Sequence, residues 1–285
     1  MFFVLIGCWG MAKTQSPWVK EKGSAYVQGG VNFFRYSSGY DDPQNFSELS
    51  RPVTEVIVPL YGEIGLTKKL STTLSVPIHY TQSSGLDSDW VGISIPNGNL
   101  VGFGNVYGGV NYNLLKKKGF VFSSHFGVYA NSINRNVEAG LATGYDAFGF
   151  EPFLSAGYGT AKHFYTLSTG VNLRTNNYSP QYKLNLQWGA RFGKRKRGWF
   201  IVSMNTQLPL VKSSPVEDLQ VNGLRQFTYL YLNHQGYVAL NLKWGYEWNN
   251  WYAWFSVGGG PGWDVGQAGV YSLSLAKKIE RKKKV

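Results

Sequence analysis

The sequence is short of cysteine, of charge and of long apolar runs. Its 285 residues include one cysteine, which excludes a disulfide-stapled scaffold and a cysteine-rich metal fold. Charged residues make up 15% of the chain, well below the roughly 25% of an ordinary soluble domain. No apolar run approaches the roughly 18 residues that indicate a membrane-spanning helix, and the mean hydropathy is −0.22.

Glycine and aromatic residues are abundant instead. The chain has 35 glycines, 17 phenylalanines, 19 tyrosines and 10 tryptophans, and 43% of its residues are hydrophobic, which excludes a disordered chain. This composition, without a long apolar run, is typical of a protein that meets lipid through alternating β-strands.

Basic residues give the chain a formal net charge of +12. Such a balance first suggests a nucleic-acid partner, whose binding would need the basic residues to line one groove or one helix face. The lysine and arginine residues instead form short clusters, mostly in predicted turns and at the C-terminus: 68–69, 116–118, 162, 194–197, 277–278 and 281–284. We therefore expect no nucleic-acid partner.

Residues 1–12 resemble a secretory signal peptide. The stretch from Phe2 to Ala12 is apolar but too short to span a bilayer, and Gly10 and Ala12 supply small residues for a cleavage site. No basic segment precedes it, so we expect the natural start to lie upstream. Residues 5–8 also resemble a lipoprotein cleavage box, but we interpret Cys8 as an ordinary residue of the signal. Residues 13–285 are then expected to form one exported domain.

From Gly23 onward the chain alternates with a period of two. In the segment 181–192, for example, one face carries Tyr182, Leu184, Leu186 and Trp188, and the other carries Gln181, Lys183, Asn185 and Gln187. Alternation sustained over this length indicates β-strands and excludes amphipathic helices.

The alternation predicts about twelve strands: 24–36, 54–66, 70–80, 105–115, 120–130, 148–159, 164–174, 180–193, 199–210, 236–248, 251–258 and 268–279. Short connections at one end, such as 116–119, face mostly longer ones at the other, such as 81–104 and 211–235. The pattern predicts an all-β, antiparallel, up-and-down transmembrane barrel with short periplasmic turns and long extracellular loops. Its location would be the outer membrane of a Gram-negative bacterium.

A soluble β-sandwich is the alternative, since it also buries one apolar face. Aromatic residues near the predicted strand ends argue against it. Phe33, Tyr80, Phe148 and Tyr182 would lie at one rim, and Tyr112, Tyr158, Phe192, Tyr246, Trp248 and Trp251 at the other. Two such girdles are typical of a membrane barrel.

Three glycine-rich stretches carry a resemblance to a known family: residues 60–70 (LYGEIGLTKKL), 102–112 (GFGNVYGGVNY) and 140–146 (GLATGYD). With them, the chain resembles bacterial outer-membrane transporters that include long-chain fatty-acid and aromatic-hydrocarbon channels. The resemblance implies passive passage of small solutes, hydrophobic ones included. The segment between Ala12 and the first strand is shorter than the plug of the fatty-acid channels.

We find no motif for catalysis or for a cofactor. The four histidines, His79, His125, His163 and His234, have no metal-ligand spacing, and the glycines at 102–109 and 258–262 lack nucleotide-loop spacing. The enzymatic alternative is a lipid-modifying enzyme such as a phospholipase, whose nearest candidate is Ser123-Ser124-His125; in our register Ser124 points out and His125 points in. The third class is a structural or adhesive barrel without transport. We predict no enzyme, metal or cofactor.

The predicted inner face collects four acids and four bases. These expected lumen-lining residues are Glu55, Glu63, Glu151 and Glu247, with Arg174, Lys183, Arg191 and Lys243. A balanced interior suits either a filled, salt-bridged barrel or a narrow polar conduit. We expect an ion pair between Glu151 and Arg174, because the hairpin centred at 160–163 brings them close together.

One long loop is expected to fold inward as a constriction. The segment from Trp90 to Pro96 is apolar within a polar loop, so Trp90, Val91, Ile93 and Ile95 are its candidate residues. The expected partners are outer-membrane lipid, an unidentified small-molecule solute and, during insertion, the barrel assembly machinery.

Overall fold

The computed structural model describes residues 16–40, 46–88, 93–193, 195–211, 220–221, 224–225, 230–263, 265–267 and 269–280. Twelve strands form its wall: β1 (Ala25–Tyr40), β2 (Phe46–Gly65), β3 (Leu70–Ser83), β4 (Tyr107–Lys117), β5 (Phe120–Tyr129), β6 (Gly149–Gly159), β7 (His163–Arg174), β8 (Gln181–Phe192), β9 (Gly198–Pro209), β10 (Gly236–Trp248), β11 (Trp251–Gly259) and β12 (Val270–Ile279). Among these residues no helix is long and apolar enough to cross a membrane.

Each wall strand pairs antiparallel with the next, and β12 pairs with β1, which closes the sheet. The closing register brings Ala25 opposite Ile279 and Phe34 opposite Val270. Closure leaves no unpaired edge. The predicted fold class, a closed antiparallel barrel of twelve strands, is confirmed.

Short connections lie together at one end, called the turn end here, and long ones at the loop end. Two of the turns have positive φ at both central residues: Lys118 and Gly119 (45° and 83°), and Asn249 and Asn250 (44° and 67°). That geometry matches the right-handed twist of a two-residue hairpin, and glycine and asparagine adopt it most readily.

The strands extend further at the loop end than the sequence predicts. β1 continues to Tyr40 and β2 begins at Phe46, in a region predicted to be a loop from 37 to 53. A register shift between Tyr36 and Ser38 separates this extension from the wall below. Its residues are mainly polar, so their periodicity is weak, and backbone pairing continues without an apolar face to reveal it.

The wall is interrupted beside β3. The piece Gly98–Phe103 pairs with the loop end of β3, and β4 pairs with its turn end. Between them Gly104 donates to the carbonyl oxygen of Pro77 at 2.9 Å. The hydroxyl group of Ser132 accepts from the Val106 amide at 2.9 Å and donates to the Gly104 carbonyl at 2.6 Å. Hydrogen bonds therefore seal the interruption.

The two faces of the wall have the polarity of a membrane barrel. Outward side chains are apolar and exposed, for example Leu74 (55%) and Leu273 (59%). Inward side chains are largely polar and buried, for example Ser71, Ser123 and Gln181. A soluble fold has the opposite arrangement, so the outer face requires an apolar surrounding.

Candidate solute path

The N-terminal segment 16–20 enters the barrel at the turn end. The carbonyl oxygen of Ser16 accepts from Asn111 at 2.8 Å, and that of Pro17 accepts from the Ser123 hydroxyl at 2.7 Å. Trp18 meets Phe164 edge-on, with 6.1 Å between ring centroids. These partners belong to the inner faces of β4, β5 and β7, so the segment occupies the lumen.

A glycine makes room for this segment. A Cβ atom at Gly157 would lie 2.5 Å from Pro17 and 2.9 Å from Trp18, so any larger residue would displace the segment. On the other side of the lumen, Lys20 forms an ion pair of 3.3 Å with Glu63. The N-terminal segment is therefore fitted to the barrel, although no periodicity in its residues predicts this.

At the loop end, residues 230–235 fold inward. Leu230, Tyr231 and Leu232 are each at most 3% exposed. The Tyr231 hydroxyl lies 2.9 Å from the Glu55 carboxylate and 3.0 Å from His79 Nδ1. This inner loop segment therefore rests on the inner faces of β2 and β3.

Further bonds hold the same segment to β7 and to the β7–β8 connection. Arg174 donates to the carbonyl oxygen of Asn233 at 2.6 Å and to that of Ser179 at 2.6 and 2.9 Å. The Asn233 side chain accepts from the Ser179 amide at 2.6 Å. Tyr145, from another loop, donates to Gln235 at 3.1 Å. The inner loop segment is thus anchored on both sides of the lumen.

Arg51 ties other loop segments together. Its side chain is fully buried and donates to the carbonyl oxygens of Ser84 (2.9 Å), Pro96 (3.3 Å) and Ala139 (3.0 Å). Three bonds from one rigid guanidinium group fix three loop segments relative to β2.

A cavity of about 180 Å³ remains inside the loop half of the barrel. Phe34, Ile57 and Pro77 line it from β1 to β3, and Arg174, Gln181 and Lys183 line it from β7 and β8. Tyr231 of the inner loop segment also borders it. Its lining is therefore mixed: it is mainly apolar, with His79, on the side of β1 to β3, and polar and cationic on the side of β7 and β8.

Two predicted lumen acids lie beside this cavity. Glu55 is 0% exposed and accepts from His79 at 2.8 Å, from Tyr231 and, at 3.4 Å, from Tyr36. Glu151 is 1% exposed and forms an ion pair with Lys183. The expected partner of Glu151 was wrong, because Arg174 instead binds backbone carbonyl groups.

The other predicted lumen residues lie toward the turn end. Arg191 and Glu247 form an ion pair of 3.4 Å. Lys243 stacks over the ring of Trp254, 4.3 Å from its centroid. Glu63 binds Lys20, as described above. The structure thus places all eight side chains on the lumen side of the wall. Their role in the passage of solutes stays a prediction.

The expected constriction residues are only partly described. Trp90 and Val91 lie outside the described residues, and for Ile93 the structure describes the backbone alone, within a short strand. Ile95 is 8% exposed and adjoins Pro96, which binds Arg51. Within the described chain, the inner loop segment and the N-terminal segment fill the lumen, and neither has an apolar periodicity that would reveal it.

The enzymatic candidates do not converge. His125 points inward and contacts the Tyr107 hydroxyl, and Ser124 lies on the opposite face of β5. His163 stacks on Trp188, which lies on the outer face of β8. His79, predicted to precede a loop, lies within β3 and is bound to Glu55. The described residues contain no group of three or more potential metal ligands.

Comparison with known proteins identifies the fold. No family model and no curated protein matches the chain. Among solved structures it is similar to an outer membrane channel from Pseudomonas putida F1, with a TM-score of 0.64 and 11% identity over 92% of this chain and 97% of that one. The monoaromatic hydrocarbon channel CymD gives a TM-score of 0.45 and 11% identity over 93% and 90% of the two chains. The toluene transporter TodX of Pseudomonas putida gives 0.44 and 8% over 91% and 90%.

The first of these similarities defines the class: the chain is a β-barrel of the outer-membrane type. This agrees with the fold expected from the sequence.

Proposed function

We propose that the chain is a passive channel for small solutes in the outer membrane of a Gram-negative bacterium. The observation that carries the proposal is the polar lumen with its cavity, which is bordered by the inner loop segment in the loop half of the barrel.

Passage requires that the two inner segments move. Both are held by hydrogen bonds, such as Ser123 to Pro17 and Tyr145 to Gln235, and by charged partners, such as Glu63 for Lys20 and Glu55 for Tyr231. A neutral hydrogen bond contributes about 1 kcal/mol net and one to a charged group about 1.5–3 kcal/mol, so a segment is released by a local opening that breaks several of them together. The wall, by contrast, is continuous and stays closed. We interpret the structure as the closed state of a gated conduit.

Solute uptake into liposomes tests this function. Purified protein in vesicles should admit small sugars and organic acids at a measurable rate, and variants that loosen either inner segment should admit them faster. A folded barrel that admits nothing, even after both segments are loosened, would favour a structural barrel. Release of fatty acid from the vesicle lipids would favour the enzymatic alternative.

Orientation is tested by labelling in intact cells. We expect the turn end on the periplasmic side, where basic turn residues meet lipid head groups. A cysteine at the exposed Val137 should react with an impermeant reagent, and one at Lys117 should not. Labelling at Lys117 but not at Val137 would mean that the turn end faces the outside of the cell.

A further inference from the structure

The charged side chains of the lumen do not balance. The sequence predicts four acids and four bases on the inner face. The N-terminal segment brings a further base, Lys20, which forms an ion pair of 3.3 Å with Glu63. Glu151 is paired with Lys183. In this set of nine side chains the bases therefore outnumber the carboxylates by one.

Lys243 is the base whose ammonium group is left over. Arg174 is held by hydrogen bonds to the carbonyl oxygens of Ser179 and Asn233. Among the residues that the structure describes, no carboxylate or carbonyl oxygen binds Lys243, and its ammonium nitrogen instead lies over the ring of Trp254, 4.3 Å from the centroid. A ring face attracts a cation without accepting all of its hydrogen bonds, so N–H groups of Lys243 remain able to donate.

The acid on the same strand does not compensate Lys243. Glu247 lies four residues further along β10, about 13 Å toward the turn end. Its carboxylate accepts from Arg191 and from the Trp199 indole group at 3.4 Å each, and from the Tyr252 hydroxyl at 3.2 Å. These three donors keep the carboxylate at the turn end, and Arg191 already balances its charge.

Lys243 lies across the lumen from the N-terminal segment. The segment bonds to Asn111 of β4, to Ser123 of β5 and to Glu63 of β2. Lys243 is on the opposite side of the twelve-stranded wall, on β10, where it is half-buried and pairs with Ser256 of β11. A solute that crosses the turn half along this side therefore passes the ammonium group.

Neutral polar groups and a fitted ring surround this position. Ser256 lies opposite Lys243 in the register, and Asn241 precedes it by two residues on the same face. Trp254 pairs with Gly245, where a Cβ atom would collide with the indole ring, so glycine lets the ring lie where Lys243 stacks on it. A hydroxyl and an amide group beside a fixed cation can complete the hydrogen bonds of a partly dehydrated anion.

We propose that Lys243 forms a site for small anions in the turn half of the lumen and gives anions preference over cations in the conduit. Two unit charges in contact attract strongly enough in bulk water to favour the counter-ion about fivefold, and more strongly in a narrow lumen. The preference during passage rests on the proposed function, because it names the selectivity of the same conduit. The anion site itself does not depend on passage.

Fluorescence quenching of the purified barrel in detergent tests the site. Iodide is compared with the neutral quencher acrylamide, and Trp254→Phe in each background isolates the fluorescence of the ring that Lys243 contacts. An anion held at Lys243 lies next to this ring, so Lys243→Gln should lower the ratio of iodide to acrylamide quenching about fivefold. Lys243→Arg keeps the charge and should keep the ratio. An unchanged ratio in Lys243→Gln would overturn the site.

Reversal potentials in planar bilayers measure the preference during passage. Under a gradient of potassium chloride, the permeability ratio of chloride to potassium should be about five or more in the wild type. It should fall toward one in Lys243→Gln, and Lys243→Glu should favour potassium. The matched control is Lys277→Gln, since Lys277 also lies over a ring, 4.7 Å from the centroid of Trp251, but on the outer face of the barrel.

An equal change of the permeability ratio in this control would overturn the assignment to Lys243. Resistance of each folded barrel to heat in detergent shows that the variant folds. The two experiments also separate this inference from the proposed function. If the barrel conducts chloride and potassium equally, the channel stands and the selectivity is wrong. If iodide is held at Lys243 and no current flows, the anion site stands and the channel is wrong.

Discussion

The hydroxyl group of Tyr231 donates a 2.9 Å hydrogen bond to Glu55, a residue 176 positions earlier in the chain. The bond joins the inner loop segment to the barrel wall at a carboxylate that also binds His79. Because Glu55 is completely buried, no water can replace the hydroxyl group without a rearrangement of the segment. This single contact is therefore a suitable place to loosen the loop end.

We predict that Tyr231→Phe increases solute flux. The change removes one hydrogen bond to a charged group, worth about 1.5–3 kcal/mol, and keeps the ring. The inner loop segment should then leave the lumen more often, which single-channel recording in planar bilayers would register as more frequent open events. Tyr252→Phe is the matched control, since its hydroxyl group binds Glu247 at 3.2 Å outside this segment. The same increase in both variants would contradict a latch at Tyr231.

A second prediction concerns the turn end. Trp18→Ala should loosen the N-terminal segment, because it removes the ring that packs on Phe164 and against Gly157. We expect a higher conductance of the open channel with the wall unchanged. Trp251→Ala is the control, since this ring lies on the outer face of the barrel at the same end. If the two variants conduct alike, the N-terminal segment does not limit passage.

The ion pair inside the cavity wall gives a third prediction. Glu151→Gln or Lys183→Gln alone should lower the free energy of unfolding by about 2 kcal/mol, because either change leaves a buried or half-buried charge without its counter-charge. The double change should cost less than the two single changes together. Urea titration of the barrel in lipid vesicles measures all three, and strictly additive losses would show that the pair is not coupled.

The sequence was sufficient to predict the strands of the wall, but it did not predict the segments that lie in the lumen. A period of two assigns Glu151, Lys183 and Arg174 to the inner face, because one step of register would move all of them outward together. The hairpin register was also predictable, since Gly149 lies opposite Arg174 as expected for a turn at 160–163.

The partner of Glu151 was not predictable in the same way. Lys183 is two strands away, on β8, and reaches Glu151 because a long side chain can span the curved lumen. Arg174 had the nearer position but binds carbonyl groups in the Ser179 and Asn233 regions. Those carbonyls belong to irregular segments, whose backbone path no periodicity encodes. The inner loop segment and the N-terminal segment escaped prediction for the same reason.

The outward face offers the most direct test of the class of protein. Leu273 lies in the middle of β12, between Val31 of β1 and Phe255 of β11, and is 59% exposed. In water, arginine at such a position would be harmless or would improve solubility. In a bilayer it should lower the free energy of unfolding by about 2–4 kcal/mol, because a cation near the midplane is poorly solvated.

Ile279→Arg is the control for Leu273→Arg, since Ile279 ends the same strand at the turn end and is also exposed, at 46%. Near the interface the cost falls to about 0–1 kcal/mol, because the long side chain reaches the head groups. Unfolding by urea in phospholipid vesicles would compare the two variants. A large difference in this order places the outer face of β12 in lipid. Equal, small effects would mean that the outer face of β12 meets water, and the proposed location of the barrel would then be wrong.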